Sequence, residues 1–372
     1  MATVYLHIGS PKTATSSLQA VFARHKRKLG SRGVLYPREC RHGDAHHILV
    51  ADLIGKHQSG HLPDFWYGDF PRGKAWARLQ TELEAKAGKF DKVVLSSELF
   101  FGQSVGLEAM LGDIRQALAG HTVKIVVYLR RQDQLYASFY NQDVKGARQW
   151  SRSAYEFYGT HQIFRHSYSR LMEFWSSAFG VENIIIRPYE RAQWVGGDIV
   201  QDFCATIGIP ALGSAPLESN QGLGVNQLYI KRCFNRTGFP KADNDTVVAF
   251  IQRLCPESPA NNTVYVNRAL YGRYRKQWQR DNNRLARIFL QQEQLFSEPL
   301  PAADELQLEN VDRKVIAEFL AIVKHELRQL KSPELRQAAA RAALLMHAEL
   351  GLWPELGHDP VDLLSPHEGR SR

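Results

Sequence analysis

A short apolar run, Val4-Tyr-Leu-His-Ile8, stops at Gly9 and gives way to the polar stretch Ser10-Pro-Lys-Thr-Ala-Thr15. A helix-patterned segment follows directly, with Leu18, Val21, Phe22 and Leu29 on one face and Arg24, Lys26, Arg27 and Lys28 on the other. A strand that feeds a helix through a tight loop implies a sheet whose next strand runs parallel to the first.

The same alternation recurs downstream. Lys92-Val-Val-Leu95, Val123 to Leu129 and Asn183-Ile-Ile-Ile-Arg187 read as further strands, the last stopped by Pro188. Leu135, Tyr136, Phe139 and Tyr140 mark a helix after the third strand. Asp198 is the expected N-cap of a helix carrying Ile199, Val200, Phe203, Cys204 and Ile207, ended by Gly208 and Pro210. This pattern predicts an α/β fold: a three-layer parallel sheet flanked by helices on both faces. The stretch from Ala211 to Gly224 reads as a loop, and the rest as mainly helical, including Asn282 to Phe296 and Asp312 to Leu350. The expected organisation is an α/β core over about 1–210, a helical completion over about 225–300, and a helical extension with a polar tail over 301–372.

In such sheets ligands bind beyond the carboxyl ends of the strands. The Gly9 loop is then a natural anion site, because loop amides and a helix N-terminus converge on it. Lys12 can neutralise charge, and the hydroxyls of Thr13, Thr15, Ser16 and Ser17 can donate to phosphate oxygens. The alternative is a cluster of Ser and Thr serving only as helix caps. The loop lacks the GxxxxGK[ST] order of a Walker A loop, because its lysine comes early, directly after Pro11. A formal charge of +9 over 372 residues favours anionic partners, or simply a solvated basic surface.

A second pattern is Val126-Val-Tyr-Leu-Arg130 with Ser138 eight residues on. Arg130 at a strand end can grip phosphate with two N–H groups, and Ser138 can add a hydroxyl. A third pattern is Arg187-Pro-Tyr189-Glu190 after a buried-looking strand, and a fourth is Asp281-Asn-Asn-Arg284. With these, Pro11-Lys12-Thr13-Ala14-Thr15-Ser16 resembles the P-K-[ST]-G-T-[ST] loop of PAPS-dependent sulfotransferases, with Ala14 in place of glycine. The resemblance covers roughly residues 3–300 and is closest to bacterial, carbohydrate-sulfotransferase-like members. It implies the donor 3′-phosphoadenosine 5′-phosphosulfate (PAPS), the product PAP, and no metal requirement. Residues 11–17 would hold the 5′-phosphosulfate, with Lys12 stabilising the bridging oxygen. Arg130 and Ser138 would hold the 3′-phosphate, and Tyr189 would lie near the nucleotide. The Arg-Lys-Gly element of cytosolic members is not evident; Ser219 to Gly224 stands where it would be expected.

An acceptor hydroxyl needs a proton acceptor. Glu98, just after the second long strand, is the first choice, and His46 and His47 are the runners-up. The histidine-rich region His42 to His61, with Phe65, Trp66 and Tyr67, is expected to shape an acceptor cleft. A zinc site from His46, His47, His57 and His61 is the less favoured reading. The acceptor group is expected to be a hydroxyl or an amine, on a carbohydrate, with peptide tyrosine or a small alcohol as alternatives. A P-loop kinase or NTPase, and a non-catalytic polyanion-binding protein, are the competing classes; no nucleic-acid motif is present. Four widely spaced cysteines (Cys40, Cys204, Cys233 and Cys255) argue against a zinc ribbon and for a reduced compartment. With no signal-like segment, and no apolar run near the ~20 residues needed to span a bilayer, a cytoplasmic protein without stable membrane insertion is expected.

Overall fold

In a computed structural model of the chain, residues 1–57, 64–101, 107–160, 167–213, 222–256, 268–302, 310–327, 330 and 332–352 are described. The strands are β1 (Thr3–His7), β2 (Val34–Leu35), β3 (Lys92–Ser96), β4 (Thr122–Leu129) and β5 (Ile184–Pro188). The first helices are α1 (Thr15–Arg24), α2 (Lys26–Gly30), α3 (His47–His57), α4 (Ala75–Ala85), α5 (Leu107–Ala117), α6 (Gln132–Lys145) and α7 (Ala154–Thr160). Next come α8 (Tyr168–Phe179), α9 (Ile199–Thr206), α10 (Val225–Arg236), α11 (Asn244–Leu254), α12 (Arg268–Leu285), α13 (Arg313–Glu326) and α14 (Pro333–Leu350). The chain divides into two compact units, one of 1–132, 165–218 and 274–300, the other of 133–164, 219–273 and 301–372.

The first unit is the expected α/β layer structure. Its sheet has the order β2-β3-β1-β4-β5, and every pairing is parallel. Paired residues of parallel strands face the same side. The register Tyr5↔Val94 and His7↔Ser96 on one side of β1, and His7↔Val126 on the other, therefore puts these residues on one face. That face carries a core with Leu18, Val21 and Phe22 of α1 and Phe203 and Cys204 of α9. The opposite face is covered by helices such as α8, which packs on β4 and β5. Burial on both faces explains why the strands read as predominantly apolar runs.

Three sequence expectations change. The helix expected to reach Leu29 breaks at His25, whose ring and backbone N–H both engage the Val21 carbonyl. The segment Asn282 to Phe296 is helical only to Leu285, then takes a wider π turn over Ala286–Leu290, and ends where Gln291 adopts φ 55°. The segment Asp312 to Leu350 holds two helices. Asp312 caps α13, and Pro333 opens α14 behind the Ser332 cap. Asp198 caps α9 as expected, accepting from Val200 N at 2.9 Å and Gln201 N at 3.0 Å.

The second unit is helical in its described part. Its core joins Phe234 of α10, Phe250 and Ile251 of α11, Phe319 of α13 and the alanine-rich face of α14. Inside it lies Lys231, fully buried, donating to Asn235 Oδ1 and sitting 4.9 Å over the Phe239 ring. Burial pushes its pKa down to about 7. Among the described residues no helix is long and apolar enough to cross a membrane, and the four cysteines are free and buried.

Candidate functional site

The loop after β1 is built around unusual backbone angles. Gly9, Lys12 and Ala14 have φ of 53°, 66° and 58°, all in the left-handed region. Gly9 has a second constraint. A Cβ there would lie 2.8 Å from Thr15 Cγ2 and 3.1 Å from Glu98 Cα. The loop therefore rests directly on the backbone that carries Glu98. Thr13 is buried and donates from Oγ1 to the Ser10 carbonyl at 2.6 Å, bracing the turn. Ala14 is the N-cap of α1 and offers no side-chain hydrogen bond. A glycine would adopt its angle without strain, which is the physical meaning of the departure from the family pattern. Ser16 is exposed and Ser17 half-buried, while Thr15 is buried.

Arg130 stands at the end of β4. Its Nη1 donates to the Lys12 carbonyl at 3.1 Å, and its guanidinium lies 5.5 Å from the Tyr189 ring centre. Tyr168 holds the Arg130 carbonyl with its hydroxyl at 2.8 Å. Tyr189 N donates to the Leu129 carbonyl at 2.6 Å, which ties the ends of β4 and β5 together. Burial raises the Tyr189 hydroxyl pKa, with Arg130 pulling the other way. The neighbouring Glu190 accepts from Ser297 N at 2.8 Å, Ser297 Oγ at 2.7 Å and Glu298 N at 3.2 Å. Burial works against its charge, yet hydrogen bonds from Gln193 and Ser297 outweigh that and hold its carboxyl below the usual range. Glu190 thus pins the 297–298 segment, and Tyr189 faces Arg130. Ser138, the other half of that sequence motif, lies half-buried on α6 in the second unit.

Glu98 begins a short 3-10 turn behind the Ser97 cap. Its Oε2 accepts from Gln19 Nε2 at 3.1 Å, and its Oε1 lies 3.8 Å from His47 Nε2. His47 Nδ1 pairs with Ser97 Oγ at 2.8 Å. Burial lowers the His47 pKa, and Glu98 opposes that shift. Two of the proposed proton acceptors are therefore neighbours. His46 is different. Its Nδ1 accepts from Ser96 N at 3.1 Å, its Nε2 bonds the Pro37 carbonyl at 3.1 Å, and its own N–H donates to the Ser96 carbonyl at 2.8 Å. It is fully buried, and burial pushes its pKa down to about 3. With Nδ1 committed to the end of β3 and Nε2 to the Pro37 carbonyl, His46 has no nitrogen left for a substrate proton.

Beside His47 the aromatic residues form a platform. Trp66 lies 4.6 Å from the His47 ring, and Phe65, 56% exposed, lies 4.4 Å from Trp66. His42 closes this group against Trp66 at 5.3 Å. Tyr67 instead lines a cavity of about 610 Å³ with Asp52, Arg72 and Trp76. His57 is paired with Asp113 at 2.6 Å, and His61 lies outside the described residues. Among the described residues no His, Cys, Asp and Glu cluster could hold a metal ion.

Gln19, His7, Ser96, Ser97 and Tyr168 escaped the sequence reading. Gln19 had a usable signal, being a polar residue four positions after Thr15 on the buried stripe of α1. His7 was a lone polar residue in an apolar strand. The Asp281-Asn-Asn-Arg284 pattern turns out to be structural. Asp281 caps α8, Asn282 exchanges two hydrogen bonds with Gln132, and Arg284 pairs with Glu173 at 2.7 Å.

No family model matches the chain. A stretch of 165 residues is 29% identical to an uncharacterised protein of Archaeoglobus fulgidus, spanning 44% of each chain. Among solved structures, the chain is similar to a sulfotransferase from Alicyclobacillus acidocaldarius at 16% identity, with a TM-score of 0.39 over 67% of this chain and 95% of that one.

Proposed function

We propose that this chain is a sulfotransferase that moves a sulfuryl group from PAPS to a hydroxyl of a saccharide. The observation that supports it best is the hydrogen bond from Arg130 to the Lys12 carbonyl. Two cation-bearing motifs, distant in sequence, meet at neighbouring strand ends, as a nucleotide with two separate phosphate groups requires. The first turn of α1 and its loop suit the 5′-phosphate. Arg130, backed by Tyr189, suits the 3′-phosphate.

In the proposed reaction Glu98 takes the proton of the acceptor hydroxyl, and the acceptor oxygen attacks sulfur. The bond from sulfur to the bridging oxygen breaks, and its electron pair stays on the 5′-phosphate of PAP. Lys12 stabilises the charge that grows there. Phe65 and Trp66 would stack on the apolar face of a sugar ring beside Glu98. The reading is tested by incubating the protein with PAPS and pools of glycans, tyrosine peptides and alcohols. A mass gain of one sulfuryl group on a glycan, lost in Lys12→Ala, supports it. Failure to bind PAP, or magnesium-dependent ATP turnover instead, overturns it.

A further inference from the structure

We propose that Gln19 is a positioning residue that clamps one oxygen of Glu98 and leaves the other, Oε1, to receive the acceptor proton. The inference rests on the role of Glu98 proposed above. Gln19 is 4% exposed and lies on the sheet-facing side of α1. Its Nε2 reaches Glu98 Oε2 at 3.1 Å and Ser96 Oγ at 3.2 Å. An amide nitrogen carries two hydrogens, so both donors are used. The reverse orientation would set the amide oxygen against the carboxylate.

The clamp is itself anchored. Ser96 Oγ, accepting from Gln19, is left to donate to His7 Nδ1 at 2.9 Å. His7 and Ser96 are register partners of β1 and β3, so the sheet sets their separation. His7 is fully buried, and burial pushes its pKa down to about 3, which keeps the ring neutral and able to accept. Among the described residues its Nε2 meets no polar partner; the ring stands 5.1 Å from Phe203 and 6.2 Å from Tyr128, edge to face with both. The donors thus run one way, from Gln19 to Ser96 to His7, and the spare donor of Gln19 is directed at Glu98. His47 from α3 faces Glu98, and Tyr36 lies at longer range.

In the reaction the acceptor O–H bond breaks, its proton passes to Oε1, and its electron pair forms the new bond to sulfur. The test uses the full chain with PAPS and acceptor. Gln19→Met, which keeps the length and removes the donor, should lower kcat roughly tenfold or more while the KM for PAPS stays within about twofold. A Gln19→Met loss that lies wholly in the KM for PAPS, with kcat unchanged, overturns the clamp. An inactive Glu98→Gln beside a Gln19→Met enzyme with wild-type kcat overturns its role in the reaction. A fully active Glu98→Gln overturns the proposed base, and the positioning role with it.

Discussion

Asp281 Oδ2 accepts the backbone N–H of Tyr168 at 2.7 Å, and Oδ1 accepts the Ser169 hydroxyl at 2.6 Å. A carboxylate from α12 thereby caps α8, whose first residue holds the Arg130 carbonyl. Asp281→Ala should cost about 2 kcal/mol, the upper end for a helix cap. It should also weaken PAP binding several-fold by loosening Tyr168. Denaturant unfolding and calorimetry check the two effects; full PAP affinity in Asp281→Ala would disconnect the cap from the site.

Lys12→Ala should separate binding from chemistry. Loss of one group that stabilises developing charge typically costs roughly 100- to 1,000-fold in kcat. PAP, which lacks the transferring group, should bind within about tenfold of wild type. Equal losses in PAP affinity and in kcat would move Lys12 from the reaction to simple anchoring.

Arg130→Ala should erase preference for the 3′-phosphate. Hydrogen bonds to a charged group are worth about 1.5–3 kcal/mol, so PAP affinity should fall roughly 10- to 100-fold. Adenosine 5′-phosphate should be affected little. Arg130→Lys should not rescue, because an ammonium cannot reproduce the planar two-point contact. Calorimetric titration of both nucleotides checks this.

Ala14→Gly should stabilise the protein. Alanine at φ 58° carries a left-handed penalty of about 1 kcal/mol that glycine avoids. Loss of the half-buried methyl group offsets part of it. A melting temperature raised by about a degree or more is expected, and a lower one would mean that the methyl contact dominates.

Acid should unfold this protein through two histidines. His7 and His46 are both buried neutral, with pKa values pushed down to about 3. The unfolded chain binds their protons near pH 6.5. Between these limits the unfolded state carries more protons, so stability is full above about pH 6.5 and falls as pH drops. At pH 5 each histidine should cost on the order of 2 kcal/mol. Unfolding curves at pH 7 and pH 5 measure the sum, and equal stability at both would contradict the neutral burial.

The sheet was legible because strands covered on both faces are predominantly apolar, as β1, β3, β4 and β5 are. The two-residue β2 was not, since Val34-Leu35 is too short to show any period. Helix ends failed where a side chain engaged its own last turn, as at His25, or where the turn widened, as at Ala286. The loop after β1 could be placed because a glycine and polar residues between an apolar strand and an amphipathic helix mark a turn. The supporting shell could not. His46 and His47 are adjacent in sequence, yet one closes a strand end and the other faces Glu98, and only the packed direction of each ring separates the roles. Likewise, Gln19 acquires meaning only once the register sets His7 beside Ser96.

The left-handed angles at Gly9, Lys12 and Ala14 belong to the fold itself. The chain accepts that unfavourable geometry when it folds, before any partner arrives. Capture of the proposed nucleotide should then be governed by encounter rather than by rearrangement, since a preorganised site spends little on ordering. With a formal charge of +9, the encounter with an anion should be steered. The association rate should fall steeply with added salt while the dissociation rate stays nearly constant.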